Sequence, residues 1–141
     1  FIALGRYYSL EDDGSTGDGY KFMKQFLQKT DQFTAVFASC DILATGVLQA
    51  IYEYDLKVPT DISVVGFDNT YGPYLTPPLT TVELPMMDIG RSAVRIVLEN
   101  HYRKATSPAL ETTHQHTRLS TRLIVRASTG APRTARMAAK E

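Results

Sequence analysis

Asp68 ends the run Ile62-Ser63-Val64-Val65-Gly66-Phe67, a stretch composed for burial on both faces. A carboxylate is costly to desolvate, so one placed at the mouth of a core strand calls for a polar partner. It can accept hydrogen bonds from the hydroxyls of a neutral ligand, and such charge-assisted bonds are about twice as strong as neutral ones. It can equally close an Asx-turn on the backbone of Thr70 or Tyr71. Two further segments follow apolar runs in the same way: Tyr7-Tyr8 after the opening Ile2-Ala3-Leu4, and Ser39-Cys40-Asp41 after Phe33 to Ala38. Asp41 is of the type that caps a helix N-terminus, and a capped end still presents amides to a ligand. Tyr7 and Tyr8 offer flat faces for stacking or for simple packing.

The catalytic templates are weaker. His114 and His116 alternate on one face of an expected strand, but two histidines without a further clustered ligand make a poor metal site, and a solvated edge strand explains them. The lone Cys40 has no spacing partner. No Gly-x-Ser-x-Gly elbow is present, and Gly17-Asp18-Gly19 lacks the lysine and spacing of a phosphate loop. The chain therefore reads as a binding module and not an enzyme, with no cofactor and no metal implied.

The elements that must position these residues follow from periodicity. Residues 1 to 4 read as a strand, followed by a Gly-, Ser- and Asp-rich loop. Tyr20, Met23 and Leu27 recur at helical spacing, with Thr16 or Asp18 as a cap. Phe33 to Ala38 is a second strand, and Ile42 to about Tyr54 a helix in which Leu43, Val47, Ile51 and Tyr54 recur at helical spacing. Ile62 to Phe67 is a third strand and Thr81 to Leu84 a short extended piece. A helix from about Met86 to Lys104 places Ile89, Ala93, Ile96, Val97 and Asn100 on one side. Glu111 to Thr117 and Leu119 to Arg126 are further strands. Strands alternating with helices predict an α/β, doubly wound parallel sheet with helices on both faces. In such sheets ligands bind beyond the carboxyl ends of the strands, where the three segments named above converge.

At 141 residues with 43% hydrophobic content the chain can build a real core. Fifteen basic and fifteen acidic residues cancel, so nothing in the overall charge resembles a protein that grips phosphate backbones or anionic membranes, and nucleic acid is not an expected partner of this piece alone. No apolar run is long enough to span a bilayer. A single cysteine suits a reducing cytoplasm. The opening FIALG reads as a strand already under way, so the chain is expected to begin inside a larger architecture.

Three blocks carry a resemblance: F-A-x-x-D-x-x-A-x-G at Phe37 to Gly46, L-x-V-P-x-D-I-S-V-V-G-F-D at Leu56 to Asp68, and P-P-L-T-T-V at Pro77 to Val82. Gly90-Arg91 and L-I-V-R-A-S-T at Leu123 to Thr129 also match. Residues 33 to 129 are similar to the effector-binding domain of the lac repressor/galactose repressor family of bacterial transcription regulators. The resemblance implies a periplasmic-binding-protein-like type I fold, with a sugar or similar small molecule held between two subdomains. It implies that residues 1–80 belong to the C-terminal subdomain, that 81–107 cross to an N-terminal subdomain outside this chain, that 108–129 return, and that 130–141 are a flexible tail.

By the same resemblance Asp68 is the ligand-binding aspartate, Tyr7 or Tyr8 the stacking aromatic, and Cys40, Asp41 and Leu84 line the site. Cys40 and Leu84 stand where sugar-responsive members carry polar groups, which implies a smaller or less polar ligand. Thr45, Leu48, Tyr71 and Tyr74 fall on surfaces through which family members form homodimers. Operator DNA is then met only through a headpiece absent from this chain. The competing expectation is a periplasmic sugar-binding protein of the same fold.

Overall fold

Apolar runs become neighbouring parallel strands because each must bury both faces, and a helix between consecutive strands is the short way to return the chain. The computed structural model describes residues 2–4, 16–29, 33–106 and 116–132. In order, the elements are β1 (Ile2–Leu4), α1 (Thr16–Lys29), β2 (Ala35–Ala38), α2 (Asp41–Glu53), β3 (Ser63–Asp68), a 3-10 turn η1 (Gly72–Tyr74), β4 (Thr80–Glu83), α3 (Met86–Thr106) and β5 (Arg122–Ile124). The sheet order is β1-β2-β3-β4-β5. β1 to β4 pair in parallel, with Val36 beside Ile2 and Val64, and Asp68 beside Glu83.

The chain divides into two units, Phe1–Glu83 with Leu123–Glu141, and Leu84–Arg122. In the first, the core joins Val36 and Ala38 of β2, Leu43, Val47 and Ile51 of α2, Val64 of β3, Met23 of α1, and Leu79. Each such side chain, fully buried, contributes about 1.5–3 kcal/mol. α1 and α2 pack on each other, and successive right-handed crossovers in an unreversed strand order place both on one face of the sheet. The helices approach closely at Gly46, where a Cβ would lie 1.9 Å from the Thr16 carbonyl oxygen. A surface fastener spans them: the Tyr20 hydroxyl donates to Glu53 Oε2 at 2.6 Å, and Lys24 Nζ donates to the Tyr20 oxygen at 2.8 Å. The bond from the Tyr20 hydroxyl holds the Glu53 carboxyl below its ordinary value.

Several boundaries differ from expectation. β4 begins one residue earlier and lies in the first unit's own sheet, so the change of unit comes at Leu84 and not Thr81. The expected strand over Leu119 to Arg126 shortens to Arg122–Ile124; beyond it the chain is held by two backbone bonds at Ser128, whose amide donates to Pro78 O at 3.1 Å and whose carbonyl accepts from Val64 N at 2.8 Å, and by side-chain hydroxyls. The Ser128 hydroxyl donates to Val64 O at 2.6 Å and accepts from Thr80 N at 2.8 Å, while Thr80 Oγ1 accepts from Arg126 N at 2.9 Å. The expected strand over Glu111 to Thr117 falls largely outside the described residues, and His116 and Thr117 carry no regular structure. Gly130, placed in a flexible tail, donates its amide to Ser63 Oγ at 3.1 Å.

In the second unit, α3 runs 21 residues with Asp88 in its first turn, as the helix dipole favours. Of the residues expected along one side, Ile96 and Asn100 are half-buried, whereas Ile89, Ala93 and Val97 are exposed. Met86, Met87, Val94, Leu98 and Tyr102 are exposed as well. Arg91 pairs with Asp88 at 3.3 Å along its surface.

Candidate functional site

The strongest polar feature at the carboxyl edge of the sheet is Asp41, with 0% exposure. Expected as an N-cap, it is instead the first residue of α2. The cap position belongs to Cys40, with no side-chain cap bond. The reason is competition for the carboxylate by groups distant in sequence. Asp41 Oδ2 accepts from the amides of Tyr71 at 3.1 Å and Gly72 at 2.8 Å, and Oδ1 accepts from the Thr81 hydroxyl at 2.6 Å. Gly66 on β3 makes room, since a Cβ there would lie 2.4 Å from Asp41 Oδ1 and 2.7 Å from Leu79 Cδ2. A buried carboxylate satisfied this fully is a latch that holds the chain after β3 against α2 and β4.

Asp68 is half-buried at the end of β3 with φ 95°, and Asn69 follows at φ 57°. Both sit in the left-handed region, which short polar side chains tolerate better than most. Asp68 Oδ1 accepts from Thr70 N at 2.8 Å, so the Asx-turn is present. Among the described residues no other hydrogen bond to this carboxylate is found, which leaves Oδ2 available beside the turn. Asn69 is held on all sides: its amide N donates to Thr81 Oγ1 at 3.4 Å, Nδ2 donates to Glu83 Oε1 at 2.9 Å, and Oδ1 accepts from Arg126 Nη2 at 2.8 Å. Arg126 Nη1 donates to Leu79 O at 2.7 Å.

The remaining expected site residues are placed unevenly. Cys40 is a half-buried free thiol adjoining Asp41. Leu84 is half-buried at the first position of the second unit. Tyr7, Tyr8 and His114 lie outside the described residues. Of the expected pairing surface, Tyr71 and Tyr74 are 46% and 84% exposed, on and beside η1. Thr45 is half-buried and donates its hydroxyl to Asp41 O at 3.1 Å. Leu48 is corrected: at 4% exposure it is a core residue of α2 and offers no surface to a partner. Sequence reading missed Thr81, Glu83, Arg126 and Ser128. The signal available was that each is polar yet adjoins an apolar strand. No group of three or more metal-ligating side chains is found among the described residues, and no described helix is long and apolar enough to cross a membrane.

Residues 2–129 match the family described as the periplasmic binding protein-like domain. The chain belongs to this family. Within it, the chain is 39% identical over 108 residues to the HTH-type transcriptional repressor PurR of Escherichia fergusonii, covering 76% of this chain and 32% of that protein. It is also similar to a putative transcriptional regulator of the LacI family from Sanguibacter keddieii, with TM-score 0.74 and 34% identity over 86% of this chain and 43% of that one. A LacI family transcriptional regulator from Enterococcus faecium, solved with bound ribose, matches with TM-score 0.67 and 31% identity over 84% of this chain and 41% of that one. The chain thus spans about a third of the length of the curated relatives it matches. These matches bear out the likeness to lac repressor/galactose repressor effector-binding domains and the periplasmic-binding-protein-like α/β class.

Proposed function

We propose that this chain is the effector-sensing and dimerising part of a bacterial LacI-family transcription regulator, binding a sugar or similar small molecule. The observation that carries the reading is Asp68: a half-buried carboxylate at the carboxyl end of β3, with one oxygen on its own turn and the other available. A ligand held between Asp68 and groups on an N-terminal subdomain outside this chain favours one closure state. It shifts that equilibrium only by its difference in affinity for the two states. The change passes through a homodimer, with Tyr71 and Tyr74 at the pairing surface, to a helix-turn-helix headpiece on operator DNA in the cytoplasm. Binding without turnover is supported by relatives whose names are those of transcriptional repressors.

Asp68→Asn tests the site, because the amide keeps the turn and the left-handed backbone while removing the charge. In the full-length protein, calorimetric titration with D-ribose and then a panel of pentoses, hexoses and disaccharides should show about tenfold or greater weakening for the sugar that binds. Unchanged affinity removes Asp68 from the site. Tyr74→Asp should loosen the dimer, and an unaltered sedimentation mass at low concentration contradicts that assignment.

A further inference from the structure

The chain leaves the first unit between Glu83 and Leu84 and returns between Arg122 and Leu123. Glu83 is the last residue before the exit, and Arg126 stands three residues past the re-entry point, Leu123. Asn69 bonds to both. Its Nδ2 donates to Glu83 Oε1 at 2.9 Å and its Oδ1 accepts from Arg126 Nη2 at 2.8 Å. Its backbone N donates to Thr81 Oγ1 on the outgoing strand at 3.4 Å. Arg126 is itself anchored by Nη1 on Leu79 O and by its backbone N on Thr80 Oγ1. A carboxamide suits this place because one end donates to a carboxylate while the other accepts from a guanidinium. An aspartate in its place has nothing to donate to Glu83, and alanine is penalised at φ 57°.

We propose that Asn69 is a positioning residue that ties the loop bearing Asp68 to both chain connections between the units. A displacement of the outgoing or the returning connection pulls on one end of its amide, and Asp68, one peptide bond away, moves with it. Because coupling between sites is reciprocal, a ligand that fixes Asp68 biases the connections to the same extent. This rests on Asp68 being the ligand contact, but the tie itself needs no ligand.

Hydrogen exchange on the full-length protein without ligand tests it. Asn69→Asp sets two carboxylates against each other, so exchange at residues 69–72, at 83–84 and at 123–126 should rise together by about tenfold, as for loss of one hydrogen bond to a charged group. Asn69→Asp combined with Glu83→Gln moves the donating amide to position 83 and keeps the acceptor for Arg126, so protection should return in all three segments. A merely structural role predicts that the second change adds to the first. Glu83→Ala, which brings no like charges together, should loosen 69–72 if the single aspartate variant fails to fold. Exchange that rises only at 69–72, a double variant without recovery, or a Glu83→Ala protein with unaltered 69–72 overturns the tie. Failure of the sugar titration with Asp68→Asn would remove the ligand reading and leave these exchange results standing.

Discussion

Asp41 and Asp68 lie at the same edge of the sheet, yet they are disposed in opposite ways. Asp41 is fully buried and takes three hydrogen bonds from two backbone amides and a hydroxyl, all from residues 71 to 81. Asp68 is half-buried and takes one, from the amide two residues on. The contrast separates a carboxylate consumed in holding the fold from one with acceptor capacity to spare. Position at the mouth of the sheet does not distinguish them; the number of donors aimed at each does.

The largest effect that would break this contrast is at Asp41. Asp41→Ala strands two buried donors and one part-buried one, each buried donor costing about 1–3 kcal/mol, so chemical denaturation of the full-length protein should show a loss of about 3 kcal/mol or more. A loss below about 1 kcal/mol would mean that water replaces the carboxylate and that no latch exists. Next comes Gly66→Ala, whose added methyl meets Asp41 Oδ1 and Leu79; overpacking of this kind costs about 1–3 kcal/mol, read as a lowered denaturation midpoint. Asp68→Asn should cost under about 1 kcal/mol in the same measurement, since one exposed turn bond is retained in kind. A cost equal to that of Asp41→Ala would erase the distinction.

The smallest effect concerns a third carboxylate, Glu53, on the exposed side of the scale. The Tyr20 hydroxyl holds its carboxyl below the ordinary value. A folded value depressed below the unfolded one contributes stability above the unfolded value, and that contribution is lost as pH falls through the folded one. Tyr20→Phe should therefore lower stability slightly at neutral pH and flatten its fall on the acid side, the two proteins converging once pH has dropped below the folded value of Glu53. An unchanged acid slope would show the fastener to be idle.

Much of the fold was legible because its signals are local. The apolar runs of β2 and β3 and the helical spacing of Leu43, Val47 and Ile51 are readable within a few residues, and those side chains form the core. Asp41 was misread as a cap because its partners lie 30, 31 and 40 residues away. Arg126 was passed over for the same reason, its partner Asn69 standing 57 positions away. On α3 apolar residues recur on several sides of the helix, and spacing alone does not choose among them. Asp68 was legible as a polar end to a core strand, and both of its proposed uses remain compatible with one bonded oxygen and one available.

The segment after β5 is fastened by a pair of backbone bonds at Ser128 and by hydroxyls fitted around it, not by a continuous ladder. Ser128 fits both Val64 and Thr80, and Thr80 receives Arg126, so the seam has a key with one orientation. A sheet edge joined by ladder bonds can creep by two positions and find the same pleat again. Here a single residue added or lost between Ile124 and Ser128 would leave every hydroxyl facing the wrong lock, so this short stretch should tolerate substitutions at its outward positions far better than any change in its length.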